Sequence, residues 1–313
     1  MNKRLIILDL DNTLVDTLSV WGASLSCLIG NLAGRLSVPL EISHDLIRRA
    51  HGQHRFNDGV SLVDWMLEQE HGVNLRGAWE DVAFVIQTEW LRQSSELTVP
   101  YSGAIEALKN WREDGFRIAI QTDAEDCAVL RRLWCMACHA VESGDLSKPR
   151  DILDLIDKIY CQPSIPHSSR FLSEVGAEFR EDMSSRIYVW KDKQFKPSLD
   201  HLRHILVEQD VAAEDAIYVG DSHKDGAEAG TLSVAFAWAR YGAKVSPEVL
   251  ALYALVGSRN YSYGELTVLD AMKQMGVIPA HIFQESLLEK YPHTLGGTTR
   301  SNLSVFPSLQ IST

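Results

Sequence analysis

The chain has 313 residues, 45% of them apolar and 23% charged, the composition of a globular protein with room for one large domain or two ordinary ones. Its 42 acidic residues against 30 Lys and Arg leave a formal net charge of −12, which argues against a broad nucleic-acid surface or an acidic membrane face. No stretch approaches the ~18 uninterrupted apolar residues of a transmembrane helix, and the apolar run in "MNKRLIILDLD" stops at Leu8, too short for a signal peptide.

The first predicted element is that run, Leu5 to Leu8. It is short, partly β-branched and without polar alternation, as in a strand covered on both faces of a parallel sheet. Residues 18–97 read as helical: "DLIRRAHG" and "LVDWMLEQEHG" each end at a glycine, and "AWEDVAFVIQTEWLRQ" has apolar residues at helical spacing. "VPYSGAIEALKNWREDGFRIAIQTDA" predicts a loop, a helix closed near Gly115, and a strand from Arg117 to Gln121 ending at Thr122. "DKIYC" and "RIYVW" are short strand candidates. "SLDHLRHILVEQD" reads as a helix, "AIYVGD" as a strand ending in Asp221, "DGAEAG" as a helix start and "LSVAFAWA" as a further strand. Strands alternating with helices predict an α/β fold with a doubly wound, mostly parallel sheet. The block at 18–97 is too long for an ordinary crossover and fits a smaller α-helical cap domain. The expected core is then 1–17 plus 98–290, with an insertion about 135–190. A loose tail rich in Ser, Thr, Gly and Pro is expected at 291–313.

In parallel sheets the ligand crevice lies at the carboxyl ends of the strands, where Asp9 emerges. If the extended conformation persists, Asp9 and Asp11 point to the same side, and two like charges that close call for a cation or a shared proton. Asp9, Asp11 and Thr13 form Asp-x-Asp-x-Thr after a strand, and this resembles the first motif of the haloacid dehalogenase-like (HAD) superfamily. "RIAIQTD" resembles its second motif at Thr122. "FKPSLDHL" resembles its third at Lys196, and "YVGDSHKDGAEAG" its fourth at Asp221 and Asp225. The resemblance covers residues 3–17, 99–130 and 194–245, and four ordered motifs at strand ends make it specific.

The resemblance implies a Rossmannoid core with a helical cap inserted after the first motif, and a Mg²⁺-dependent phosphatase acting through an aspartyl-phosphate. It assigns the nucleophile to Asp9, and to Asp11 the proton given to the departing oxygen and taken from the attacking water. It assigns Mg²⁺, a hard cation that prefers oxygen ligands, to the carboxylates of Asp9 and Asp221 and the backbone carbonyl of Asp11. Asp225 is then a ligand or a partner through water. Thr122 and Lys196 hold the non-transferring phosphoryl oxygens. A competing "SKPRD" at Lys148 is set aside because Lys196 lies 25 residues before Asp221, room for one helix, a loop and a strand, against 73 for Lys148.

The partner implied is a small phosphorylated substrate, with no nucleic acid and no membrane. Five cysteines, an odd number, suggest a reducing compartment, and the expected location is the cytoplasm. "CMACH", Cys135 to His139, formally matches a haem-attachment motif, and zinc with Cys161 or His167 is an alternative. Small buried residues on a helix are the preferred reading. A phosphomutase acting on a sugar phosphate and a non-catalytic regulatory protein that keeps the site remain as rivals. Dehalogenation is disfavoured because it needs no general acid. Substrate choice is expected from the cap, where "HGQHRFNDG" reads as a polar break carrying His51, His54, Arg55 and Asn57. His54 and Arg55 are the candidate specificity residues.

Overall fold

A computed structural model describes residues 4–54, 94–164, 174–192, 194–255 and 265–287, with residues 85, 88, 89, 91, 92 and 172. The run Leu5–Leu8 forms β1 and lies at the middle of a seven-stranded sheet. Its partners are β2 (Arg117–Glu125), β3 (Lys158–Gln162), β4 (Ile187–Val189), β5 (Ala216–Gly220), β6 (Ala235–Ala239) and β7 (His281–Phe283). The order is β4-β3-β2-β1-β5-β6-β7, and every pairing is parallel.

The lack of polar alternation in β1 has a direct cause, since both faces of the sheet are covered. Ile6 and Leu8 join Ile118, Ile120 and Ile217 in one core, under α3 (Ala104–Glu113), α4 (Asp126–Glu142) and α5 (Ala177–Ser184). Leu5 and Ile7 join Ala119, Ala216 and Tyr218 in the other, under α6 (Leu199–Glu208), α7 (His223–Thr231) and α9 (Glu265–Gln274). The two-residue period of a strand makes this division. Strand order reverses at β1, with β2 to β4 on one side and β5 to β7 on the other, so the crevice opens between the ends of β1 and β5.

After β1 come α1 (Thr17–Leu36) and α2 (Leu40–His54). Asp16 caps α1, accepting from the Ser19 amide at 2.9 Å. The Oδ1 of Asn12 accepts from the Thr17 and Leu18 amides at 3.1 Å each, so two side chains serve the first turn. A further helix, α8 (Pro247–Leu255), packs on α1, and its Tyr253 hydroxyl donates to the Leu18 carbonyl. Among the described residues no helix is long and apolar enough to cross a membrane.

Several expectations need correction. The helix expected to stop at Gly52 runs through it to His54, so His51 and His54 lie within α2 rather than in a polar break. β2 continues past Thr122 to Glu125, with a register shift between Gln121 and Glu125 where it pairs with β3. "DKIYC" and "RIYVW" do form strands, but as β3 and β4 they belong to the main sheet. The length between Thr122 and Lys196 therefore extends the sheet by two strands, and these parts of 135–190 are no insertion in it. Three elements after β6, namely α8, α9 and β7, had no sequence signal assigned. Arg55, Asn57, "LVDWMLEQEHG", His167 and the 291–313 tail lie outside the described residues, and so does most of "AWEDVAFVIQTEWLRQ".

Candidate active site

The β1–β5 ladder delivers the first carboxylate. Leu8 pairs with Ile120 and Val219, and the Asp9 amide donates to the Val219 carbonyl at 2.9 Å, carrying the ladder one residue further. The extended chain then ends. Thr13, Leu14 and Val15 all donate to the Leu10 carbonyl, and Asn12 takes a left-handed φ of 59°, a conformation that Asn tolerates better than most residues. The carboxylates of the two aspartates take different partners. The carboxylate of Asp9 meets Lys196, whereas that of Asp11 meets Arg132 at 2.7 Å. The condition for Asp9 and Asp11 to face the same way, a persistent strand, is not met.

Asp9 instead gathers with Asp221 and Asp225, from the end of β5 and the first turn of α7. One ligand atom from each lies within 4.8 Å of the others, and all three are buried. Asp225 is locked. Its Oδ2 accepts from the Ser222 amide (3.1 Å) and hydroxyl (2.6 Å), the capping box of α7, and its Oδ1 accepts from Lys196 Nζ at 2.8 Å. Both its oxygens are engaged, which suits a supporting role better than a vacant ligand position. Gly220 makes this possible, because a Cβ there would lie 2.5 Å from the Asp225 Cγ.

Lys196 is 7% exposed. Its ammonium bonds Asp9 and Asp225, and its backbone amide donates to Asp123 Oδ1 at 3.0 Å. Asp123, which reads from sequence as a polar loop residue, lies within β2 and thus ties the end of that strand to the lysine. Thr122 is 2% exposed, and its Oγ1 accepts from the Ala124 amide at 3.1 Å. The competing Lys148 is exposed and pairs with Asp151. His54 closes α2, and its side chain lies outside the described set, as does all of Arg55.

The "CMACH" residues form no ligand cluster among the described residues. Cys135 is buried on α4, and His139 faces Glu142 at 3.5 Å.

The end of β6 and the segment after it close the floor. Trp238 Nε1 donates to the Asp221 carbonyl at 2.9 Å, and the Tyr241 hydroxyl donates to the Thr13 carbonyl at 2.6 Å. Between them the Gly242 backbone lies against the Asn12 carbonyl so closely that a Cβ would fall 1.6 Å from its oxygen. No side chain fits there.

Charge dominates the site. Burial pushes Asp9 well above the usual carboxylate range; Lys196 opposes this, while Asp225, Asp221 and Asp11 add to it. Burial works against the Lys196 ammonium, but Asp225 and Asp9 outweigh it and hold the proton more firmly than usual. One ammonium does not balance three clustered carboxylates with Asp11 beside them. A hard divalent cation fits the all-oxygen donor set of Asp9 and Asp221. Burial also raises Asp11, against Arg132 and Lys196.

A second buried pair lies behind Lys196. The Gln121 amide donates to Glu228 Oε1 at 2.7 Å, and both side chains are buried. Burial pushes Glu228 up to about 7. The folded state therefore holds its proton where the unfolded chain has released it. The stability this contributes is full below about pH 4.5 and is lost as pH rises through about 7. Glu228→Gln keeps the group neutral. It is expected to raise stability at pH 8 by on the order of 1–3 kcal/mol, with little change near pH 4.5. Melting curves at the two pH values check this, and an equal shift at both would refute the assignment.

The sequence matches the family of haloacid dehalogenase-like hydrolases over residues 3–231. The chain belongs to that family. No curated protein sequence matches it. Solved structures similar to it include a HAD-superfamily hydrolase, subfamily IA, from Geobacter sulfurreducens PCA (14% identity, 76% of this chain and 87% of that chain, TM-score 0.42). Another is a predicted phosphoglycolate phosphatase from Haemophilus somnus 129PT (18%, 77% and 87%, 0.43). A third is CbbY from Rhodobacter sphaeroides in complex with phosphate (17%, 76% and 86%, 0.40). In this haloacid dehalogenase-like hydrolase the closing segment around Gly242 lies beyond the matched range.

Sequence reasoning missed Arg132, Asp123 and the Gln121–Glu228 pair. Arg132 carried a signal. It lies three residues after Val129 and next to Leu133 on the stripe of α4 that includes Met136 and Ala140, all four of these buried. A charge on such a stripe needs a partner.

Proposed function

We propose that this hydrolase is a Mg²⁺-dependent phosphatase of a small phosphorylated metabolite, acting in the cytoplasm. The observation that carries the reading is Asp9 at the strand-order reversal, held by Lys196 among buried carboxylates, with Asp11 two residues on and paired with Arg132. An Asp9 oxygen attacks phosphorus, the P–O bond to the alcohol breaks, and Asp11 gives its proton to the departing oxygen. Asp11 then takes a proton from water, which attacks the same phosphorus and displaces the Asp9 carboxylate. Lys196 and the Thr122 hydroxyl hold the non-transferring oxygens. Asp9, Asp221 and the Asp11 backbone carbonyl are the residues that would hold Mg²⁺, with Asp225 behind them. Bound there, the cation offsets charge at the phosphoryl oxygens. The five free cysteines support a reducing compartment.

Purified protein assayed with Mg²⁺ against a panel of phosphate esters tests this. Phosphate release from at least one ester, abolished by chelation and restored by Mg²⁺, is the expected result. Mg²⁺ should also raise the melting temperature of metal-free protein, since binding adds about 2.7 kcal/mol at a hundredfold excess over Kd. Asp221→Ala should blunt that rise. Transfer to a sugar in place of water would make the protein a mutase, and metal binding without any turnover would make it a regulatory module.

A further inference from the structure

We propose that Arg132 recognises a second anionic group, a carboxylate or phosphate, carried by the alcohol portion of the substrate beside the scissile bond. The inference rests on the phosphatase reading, because it takes Asp11 as the residue that protonates the leaving oxygen. That oxygen must then come within hydrogen-bond reach of the Asp11 carboxylate. Arg132 Nη1 already lies 2.7 Å from Asp11 Oδ2, so the first atoms of the alcohol pass beside the guanidinium.

The placement favours recognition over simple packing. Arg132 occupies a position on the apolar stripe of α4, between turns fixed by Val129, Leu133 and Met136. Its side chain is 16% exposed, and its one partner among the described residues is Asp11, through one of five N–H donors. The neighbouring Arg131 is committed elsewhere, donating to the Ser94 hydroxyl. Lys196 is committed to Asp9 and Asp225. Among the described residues, Arg132 is therefore the cation that touches the proposed acid Asp11 and keeps unused donors beside it. A planar guanidinium fork suits carboxylate and phosphate oxygens and gains nothing from a neutral alkyl group.

The test uses full-length Asp9→Asn protein, with Mg²⁺, so that binding is read without turnover. Calorimetry would compare ethyl phosphate, carboxymethyl phosphate and ethane-1,2-diol bisphosphate. One or both of the doubly substituted esters should bind about tenfold tighter than ethyl phosphate or better. Adding Arg132→Met should lower the affinity for that ester at least about tenfold more than the affinity for ethyl phosphate, and Arg132→Lys should recover part of the difference. Whichever ester loses more identifies the anion as carboxylate or phosphate. A preference that survives Arg132→Met in folded protein overturns the proposal, and so does an equal loss on all three esters, the mark of a residue that only orients Asp11. Failure of every ester to bind overturns it too. Wild-type turnover separates the two readings. No phosphate release despite Arg132-dependent discrimination would remove the phosphatase and leave the recognition site. Release without any preference for a second anion would do the reverse.

Discussion

Asp9→Asn protein is expected to fold, and to lose phosphatase turnover by at least ~10⁴-fold, because an amide of nearly the same shape is no nucleophile toward phosphorus. The structure adds a second expectation about stability. Asp9 is 5% exposed, and burial with Asp225, Asp221 and Asp11 pushes its proton affinity up. A group whose folded pKa is raised contributes stability that is lost as pH rises through that value. The neutral amide avoids the loss and can still accept from Lys196. Without metal at neutral pH, the variant should therefore melt no lower than wild type, while gaining less from added Mg²⁺. Phosphate release at the wild-type rate in this variant would falsify the nucleophile assignment. A large drop in melting temperature would instead mean that the Lys196 pair outweighs the repulsion among the carboxylates.

Lys196→Ala should fail in two ways. Losing one donor to developing charge costs about 100-fold or more in kcat. Removing the one ammonium that bonds both Asp9 and Asp225 also leaves buried carboxylates without their partner, a change that costs about 3–5 kcal/mol when a buried pair is broken. The sign with pH follows from the carboxylates that remain. Without the lysine the Asp9 proton is held more tightly in the folded state, so the variant should lose stability as pH rises and recover it with acid or with Mg²⁺. Lys148→Ala, at an exposed lysine paired with Asp151, should leave activity and melting unchanged. Should the two lysines behave the other way round, the third motif has been placed on the wrong residue.

The core strands were legible because their chemistry is local. "LIIL" carries no polar residue, since both faces of β1 are covered, and "AIYVG" in β5 is buried at all five positions. Asp9 and Asp221 were legible for the same reason: each follows an apolar run, and the end of a parallel strand is where a carboxylate reaches a crevice. Choosing Lys196 over Lys148 rested on spacing, which measures whether a helix and a strand fit between two motifs, and the structure brings Lys196, not Lys148, to Asp9.

Register shifts, turns and distant pairings were not legible. The turn at Leu10–Val15, which sends Asp9 to Lys196 and Asp11 to Arg132, depends on a left-handed Asn12 braced by Gly242, 230 residues away. That α2 passes through Gly52 was not legible either, because a glycine alone is a weak stop. From the sequence Asp225 is a ligand or a partner through water, and the contacts of its oxygens with Ser222 and Lys196 come from the fold. The sequence by itself determined which residue types stand at strand ends, because composition and period act within a few residues of each other. Only the tertiary structure decided which charges meet, because the partners of Asp9, Asp11 and Gln121 lie 187, 121 and 107 residues away and no local pattern encodes those pairings.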